Sequence, residues 1–488
     1  MKIIYYFFII LSLFSCSKDD VNVDSIVYVE SITIIGSNII SGTIGQMTAE
    51  VLPVDADNKT IAWSTSDVSI ATISSSGVVT ALQNGIVTIT ATAIDKNVII
   101  ANKEISISSF KEDIIENESS FIVSTVNELI ESLSKVKPGD TILINEGNYV
   151  LNNTLNISLS GTSGNKINLF GRDGQGRPKL DFSLMVENSS NRGVYLNAEF
   201  WHIKGIDVFG AGDNGMFVKG NNNLIEFCTF SENSDTGLQI GNGASNNTIL
   251  NCDSFYNADS TLENADGFAC KLDAGTGNKF IGCRAWQNLD DGWDGYLRGA
   301  DDITTTYENC WSFKNGILKN GTVGVGDGNG FKTGGSDDKL LKHNAIYKNC
   351  ISAGNVYDGF DHNSNRGNIE IYNCSAFSNG RNISFSNTNI ANSLILKNTA
   401  SLGGSNNDSF AASTTDITNN SWQNDITIDT SDFVSLNMDL LSSPRNSDGS
   451  LPNIDFMKLV SGSDLIDKGI DVELPFNGIA PDLGAFEF

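Results

Sequence analysis

Basic residues, proline and histidine are scarce in this sequence of 488 residues. Thirty-one Lys and Arg stand against 58 Asp and Glu, for a formal net charge of -27. Clustered cations are what grip a phosphate backbone, so the deficit excludes a nucleic-acid surface. It leaves an acidic sugar polymer open, because a bound divalent cation and a few local bases can meet carboxylates that the whole molecule repels at long range. Only seven Pro and three His are present, and Leu-rich helical periodicity is nearly missing. In its place are 47 Gly and many Asn, Ser and Thr, the composition of short strands joined by turns. The apolar run that opens the chain is too short to span a bilayer as a stable helix. The length accommodates more than one domain and a sizeable core.

That opening run belongs to MKIIYYFFIILSLFSC, a basic start, an apolar stretch and LFSC ending at Cys16. It resembles a bacterial lipoprotein signal, cut just before a Cys that becomes lipidated. Ser17, Lys18, Asp19 and Asp20 resemble the acidic surface-export tag of Bacteroidetes lipoproteins. The resemblance implies loss of residues 1–15, a lipid anchor on Cys16 in the outer membrane, and a chain facing outward at the cell surface.

Residues 28–108 alternate apolar and polar positions in runs such as VYVESITII, TIAWSTS and GIVTITATA, the pattern of a small β-sandwich. AWSTSD, SIATIS, SGVVTAL and GIVTITATA resemble the group 2 bacterial immunoglobulin-like domain, which implies a spacer or adhesion module. An acidic linker is expected over 109–121. STVNELIESLSKVKPGD then reads as one helix: Ser124 or Thr125 caps it, Val126, Leu129, Ile130 and Leu133 share a face, and Pro138-Gly139 stops it. Standing before a long all-β region, it is expected to cap a solenoid, and residues 122–488 to form that solenoid.

Beyond the helix the sequence repeats. LIEFCTFSEN, TILNCDSFYN, KFIGCRAWQN, TYENCWSFKN, IYKNCISAGN and IEIYNCSAFSN place Cys at 228, 252, 283, 310, 350 and 374, each with Asn five residues later. The Cys-to-Cys steps of 24, 31, 27, 40 and 24 residues suit one turn each of a parallel β-helix, whose equivalent positions stack at about 4.8 Å. The Cys column is expected to be a ladder of buried free thiols, and the Asn column a turn ladder of bonded amides. A second frame, TGLQI, DGFAC, DGWDG, NGFKT and DGFDH, follows each Asn. Two coils carry longer loops at this corner, 258–265 and 316–328, which are expected to wall a groove.

In the second frame, Leu238, Phe268, Trp293, Phe331 and Phe360 are assigned inward. Strand alternation then turns Gln239, Ala269, Asp294, Lys332 and Asp361 outward in one column. Asp266 and Asp291, just before their glycines, form another column, with Asp290 alongside. Carboxylates brought this close repel unless paired, and calcium is the natural partner: it accepts about six to eight oxygen ligands in irregular geometry. Zinc would recruit His or Cys, and none of the three His lies in these motifs.

NADGFACK (264–271), DDGWDGY (290–296) and NGFKTGG (329–335), in this order and one or two coils apart, resemble polysaccharide lyase family 9, the pectate lyase L type. The resemblance spans roughly residues 122–400. It implies a right-handed parallel β-helix and calcium-assisted β-elimination of a uronic-acid polymer. It also implies Asp266, Asp290, Asp291 and Asp294 as calcium ligands and Lys332 as the base. Lys271, Arg298 and Arg366 are candidates for pairing with substrate carboxylates. Within this chemistry, a rhamnogalacturonan or other polyuronate lyase is the alternative to a pectate lyase. A glycoside hydrolase with paired Asp and a non-catalytic adhesin are further ones, though neither gives Lys332 a task. The chain is expected to act as a monomer.

Overall fold

The computed structural model describes residues 26–108, apart from 42–43, 69, 82 and 96–98, and residues 120–488. Cys16 with its flanks, and most of the stretch 109–121, lie outside the described residues. The chain divides into two compact units, one on either side of 109–119.

The first unit is built mainly from antiparallel strands, among them Ser31–Ile35 against Thr48–Leu52 and Ile61–Thr65 against Gly85–Ala93, with one parallel pair, Ile39–Ser41 beside Ile100–Ser108. Its alternating residues close a core of Ile34, Met47, Ala71, Val79, Val87, Ile89, Ile105 and Ile107. This is the two-sided burial a small sandwich requires.

From Ser120 the backbone winds through three parallel sheets. The first has twelve strands, from Ser120–Val123 to Ala412–Thr418; the second has ten, from Asn148–Val150 to Ala400–Leu402; the third also has ten, from Leu155–Ile157 to Ser409–Phe410. Each coil gives one short strand to each sheet and pairs with the coil before and after it, so the fold is a parallel β-helix. The helix Val126–Leu133 stands at its start, with a capping box between Thr125 and Glu128. Leu129 and Leu133 turn into the interior, whereas Ile130, read as part of the same apolar face, is half exposed. The eight-residue helix covers the first coil with little more than two turns.

The interior is filled in columns. Phe268, Trp293, Phe331 and Phe360 stack along the third sheet with centroids 5.1, 4.8 and 5.1 Å apart. The six repeat cysteines are buried free thiols between the first and second sheets. Several donate to a carbonyl one coil back, such as Cys283 Sγ to Ile249 O at 3.3 Å. The residue before each of them has positive φ; it is Asn at 251, 309, 349 and 373, a residue that tolerates this left-handed corner. Between the second and third sheets runs the asparagine ladder. Asn233, Asn257, Asn288, Asn315, Asn355 and Asn379 pass Nδ2–H to the next Oδ1 at 2.8 to 3.0 Å, all of them buried.

Trp286 and Trp311 are buried, but on the outer face of the second sheet. There the C-terminal segment, including Phe433, Leu441, Phe456 and Leu459, packs over them. This segment closes the fold along its side, locked by Asp253 between Arg284 and Arg445 at 2.8 and 2.7 Å. Burial favours the neutral acid, but the two guanidinium groups outweigh it and hold Asp253 at about 2.

Candidate functional site

The outer face of the third sheet carries a continuous register: Gln239, Ala269, Asp294, Lys332 and Asp361 are successive partners on adjacent strands. The corner leading into this sheet carries a second column, because Gly237 N–H donates to Asp266 O and Gly267 N–H to Asp291 O. Asp291 is fully buried, but its carboxylate does not enter the apolar interior. The corner breaks strict alternation and aims it at Lys332.

Around Lys332 Nζ lie Asp291 Oδ2 at 3.0 Å, Asp327 Oδ2 at 3.4 Å and Asp294 Oδ1 at 3.9 Å. Lys271 Nζ bridges Asp266 at 2.6 Å and Asp294 at 3.3 Å. Asp266, Asp290 and Asp291 each offer a carboxylate oxygen within 4.8 Å of the others. Thr236 Oγ1 donates to Asp266 at 3.0 Å, and Asn329 N–H to Asp291 Oδ1 at 2.8 Å. Asp291 Oδ2 is buried and, apart from its ion pair with Lys332, receives no hydrogen bond.

These charges are strongly interdependent. Burial, then the neighbouring Asp266, push Asp290 up to about 7. Burial and Asp290 push Asp291 well above the carboxylate range. Asp294 goes the other way: burial raises it, but Lys332 and Lys271 prevail and hold it low. Burial alone pushes the Lys332 ammonium down, yet the carboxylates of Asp291, Asp294, Asp290 and Asp266 keep it well above the usual lysine value. Three mutually facing buried carboxylates, only partly offset by the two neighbouring lysines, fit a hard divalent cation. No imidazole competes for it: His343 is spent on Gly295 O and Thr305, His362 on Asn365 O, and His202 on Glu226.

Asp294 stands beside this trio, between the two lysines. Lys271 is part of the site. Arg298 is exposed and pairs with Asp337 at 3.1 Å; Arg366 donates to the carbonyls of Lys339 and Ile390, binding its own backbone. Sequence reasoning missed Asp327. It rides on the Gly-rich loop 316–328, whose length puts it outside the repeat frame. Gly326 lets that loop approach Asp290, where an added Cβ would stand 2.8 Å from Oδ1. Loops 316–328 and 258–265 meet through Val325 N–H and Leu262 O at 3.1 Å.

A parallel β-helix with an acidic cluster facing a buried lysine on its outer face belongs to the class of sugar-polymer enzymes built on solenoids. Residues 111–407 match the family described as the Pel9A-like, right handed beta helix region, and residues 31–99 the group 2 bacterial Ig-like domain. The chain therefore belongs to the Pel9A-like right-handed β-helix family and is a polysaccharide lyase of family 9. It is similar to pectate lyase L of Dickeya dadantii, 36% identical over 369 residues (73% of this chain, 84% of the relative). It is similar to pectate lyase L of Paenibacillus polymyxa, 40% identical over 361 residues (69% and 78%). Among solved structures it resembles pectate lyase Pel9A at TM-score 0.66 and 35% identity, covering 73% of this chain and 90% of that one. It also resembles a rhamnogalacturonan lyase at TM-score 0.63 and 28% identity, covering 68% and 91%.

Proposed function

We propose that this chain is a calcium-dependent pectate lyase that cleaves 4-linked galacturonan by β-elimination, with Lys332 as the base. The observation that carries it is the buried Lys332 ammonium held 3.0 Å from Asp291, beside the trio Asp266, Asp290 and Asp291. Asp294 joins the trio as the fourth calcium ligand in this reading. Calcium bound there would neutralise the C6 carboxylate of the substrate and stabilise the negative charge that builds as the C5 proton leaves. Lys332 Nζ takes that proton. The C4–O4 bond then breaks as the C4=C5 double bond forms, and the departing oxygen is protonated from water. Lys332 serves as a base once the carboxylates around it are neutralised, because burial is then the dominant influence and lowers its pKa. Lys271 holds Asp266 and Asp294 in place. Export on a Cys16 lipid anchor to the outer cell surface would place the site where polymer is met.

The test is ultraviolet absorbance of unsaturated product from polygalacturonate, with calcium or chelator. Lys332→Ala should lower the rate by about a thousandfold or more with an unchanged circular dichroism spectrum; full activity in that variant sinks the mechanism. The rhamnogalacturonan lyase among the structural relatives supports a second reading. Unsaturated product from rhamnogalacturonan and none from polygalacturonate would select it.

A further inference from the structure

Arg192 shares the architecture of the site without being near its centre. It precedes Gly193 as Asp266 precedes Gly267. Gly193 N–H donates to Asn214 O, Gly215 N–H to Thr236 O and Gly237 N–H to Asp266 O, so Arg192, Asn214, Thr236, Asp266 and Asp291 form one corner column. The outward column likewise continues past Gln239 to Phe217 and Tyr195. The Arg192 guanidinium lies 4.2 Å from the Phe217 ring centroid and 5.6 Å from that of Tyr195, the two rings being 5.9 Å apart. Phe217 stands four rungs from Lys332 along the register, roughly 19 Å at the usual strand spacing.

The guanidinium is held but not satisfied. Each of the other arginines, at 172, 177, 284, 298, 366, 381 and 445, donates a side-chain hydrogen bond. Among the described residues, Arg192 is the exception. Its nearest acid, Asp213, comes closest at Nε, 3.4 Å away, and Nε is buried without a hydrogen bond. The side chain is 32% exposed. A planar cation held over an aromatic ring, with donors unspent, is pre-organised for a planar anion and loses little entropy on binding it. Because the guanidinium covers Phe217, an arriving sugar meets the cation and not the ring face.

We propose that Arg192, stacked on Phe217 and Tyr195, is a distal subsite that binds a carboxylate of the same polyuronate chain several sugars from the bond being cleaved. This rests on the lyase reading above, since it needs a substrate carrying carboxylates along its length and lying along the solenoid. The subsite raises affinity for long chains and is out of reach of short ones.

Calorimetry with calcium in the Lys332→Ala background, which prevents turnover, tests it with an octamer and a trimer of galacturonate. Adding Arg192→Gln should weaken octamer binding about tenfold, the scale of one charge-assisted contact, and leave the trimer unchanged. Arg192→Lys should recover only part of the loss. In the otherwise wild-type enzyme, Arg192→Gln should raise KM for polymer and leave kcat in place, with an unaltered melting curve. Unchanged octamer affinity, or equal losses for both oligomers, overturns the subsite and leaves the lyase reading standing. No unsaturated product from any polyuronate, together with no binding of either oligomer, overturns both.

Discussion

Removing divalent cations should make stability fall as pH rises, because the acidic cluster is an electrostatic load on the fold. The Asp290 carboxyl moves from 3.8 unfolded to about 7 in the folded chain, chiefly through burial and then Asp266. A raised carboxyl binds its proton more tightly in the folded state. Stability is therefore full below 3.8, declines as pH climbs, and is lowest above about 7. At about 1.36 kcal/mol per pH unit, the load from Asp290 alone is about 4 kcal/mol at neutral pH and above. Asp291 adds to it with the same sign. Asp361, raised to about 7 by burial and Asp358, adds a part that lies outside the trio and that calcium leaves in place. Urea unfolding followed by Trp fluorescence reports on this unit, since five of the six Trp lie in residues 201–422. In chelator, the unfolding free energy should drop between about pH 5 and pH 8, while excess calcium should flatten most of that slope. Asp290→Asn should stabilise the chelated protein at pH 8 by up to about 4 kcal/mol and weaken the calcium response. Superimposable calcium and chelator curves would refute the reasoning.

Other perturbations separate stability from function. Arg445→Met leaves Asp253 with Arg284 alone and removes the bonds from the C-terminal segment to Cys252 O and Gly282 O, and should cost about 3 kcal/mol in urea unfolding. Asn288→Leu interrupts the amide ladder; the buried Asn257 N–H, Asn257 Nδ2, Asn315 Oδ1 and Ser254 O each lose a partner, for about 2 to 4 kcal/mol or more by the same measurement. Gly326→Val should push loop 316–328 off Asp290 and withdraw Asp327 from Lys332. It should lower the elimination rate at least tenfold, read by ultraviolet absorbance, while moving the unfolding midpoint little, because the loop is on the surface.

Much of the site was legible because a solenoid converts sequence period into spatial adjacency. The Cys and Asn frames set the register, and from it Asp294 and Lys332 fall on neighbouring strands, as do Asp266 and Asp291 on neighbouring corners. Arg298 and Arg366 were chosen by residue type, and nothing in their local sequence distinguishes a substrate cation from one bound to Asp337 or to backbone carbonyls. Asp327 was hidden by the loop that carries it. Arg192 was hidden because its coil has neither the Cys nor the Asn of the frame.

The sequence by itself determined the class of fold, the ladders that hold it and the columns on which the acidic and basic groups stand, since all of these follow from residue type repeated at the period of a coil. Tertiary structure alone decided which carboxylate faces which ammonium, how Asp291 leaves the interior at the corner, and where the C-terminal segment lies. Those outcomes depend on the bend of each corner and the path of each long loop. Packing between distant segments fixes them, and no local pattern encodes it.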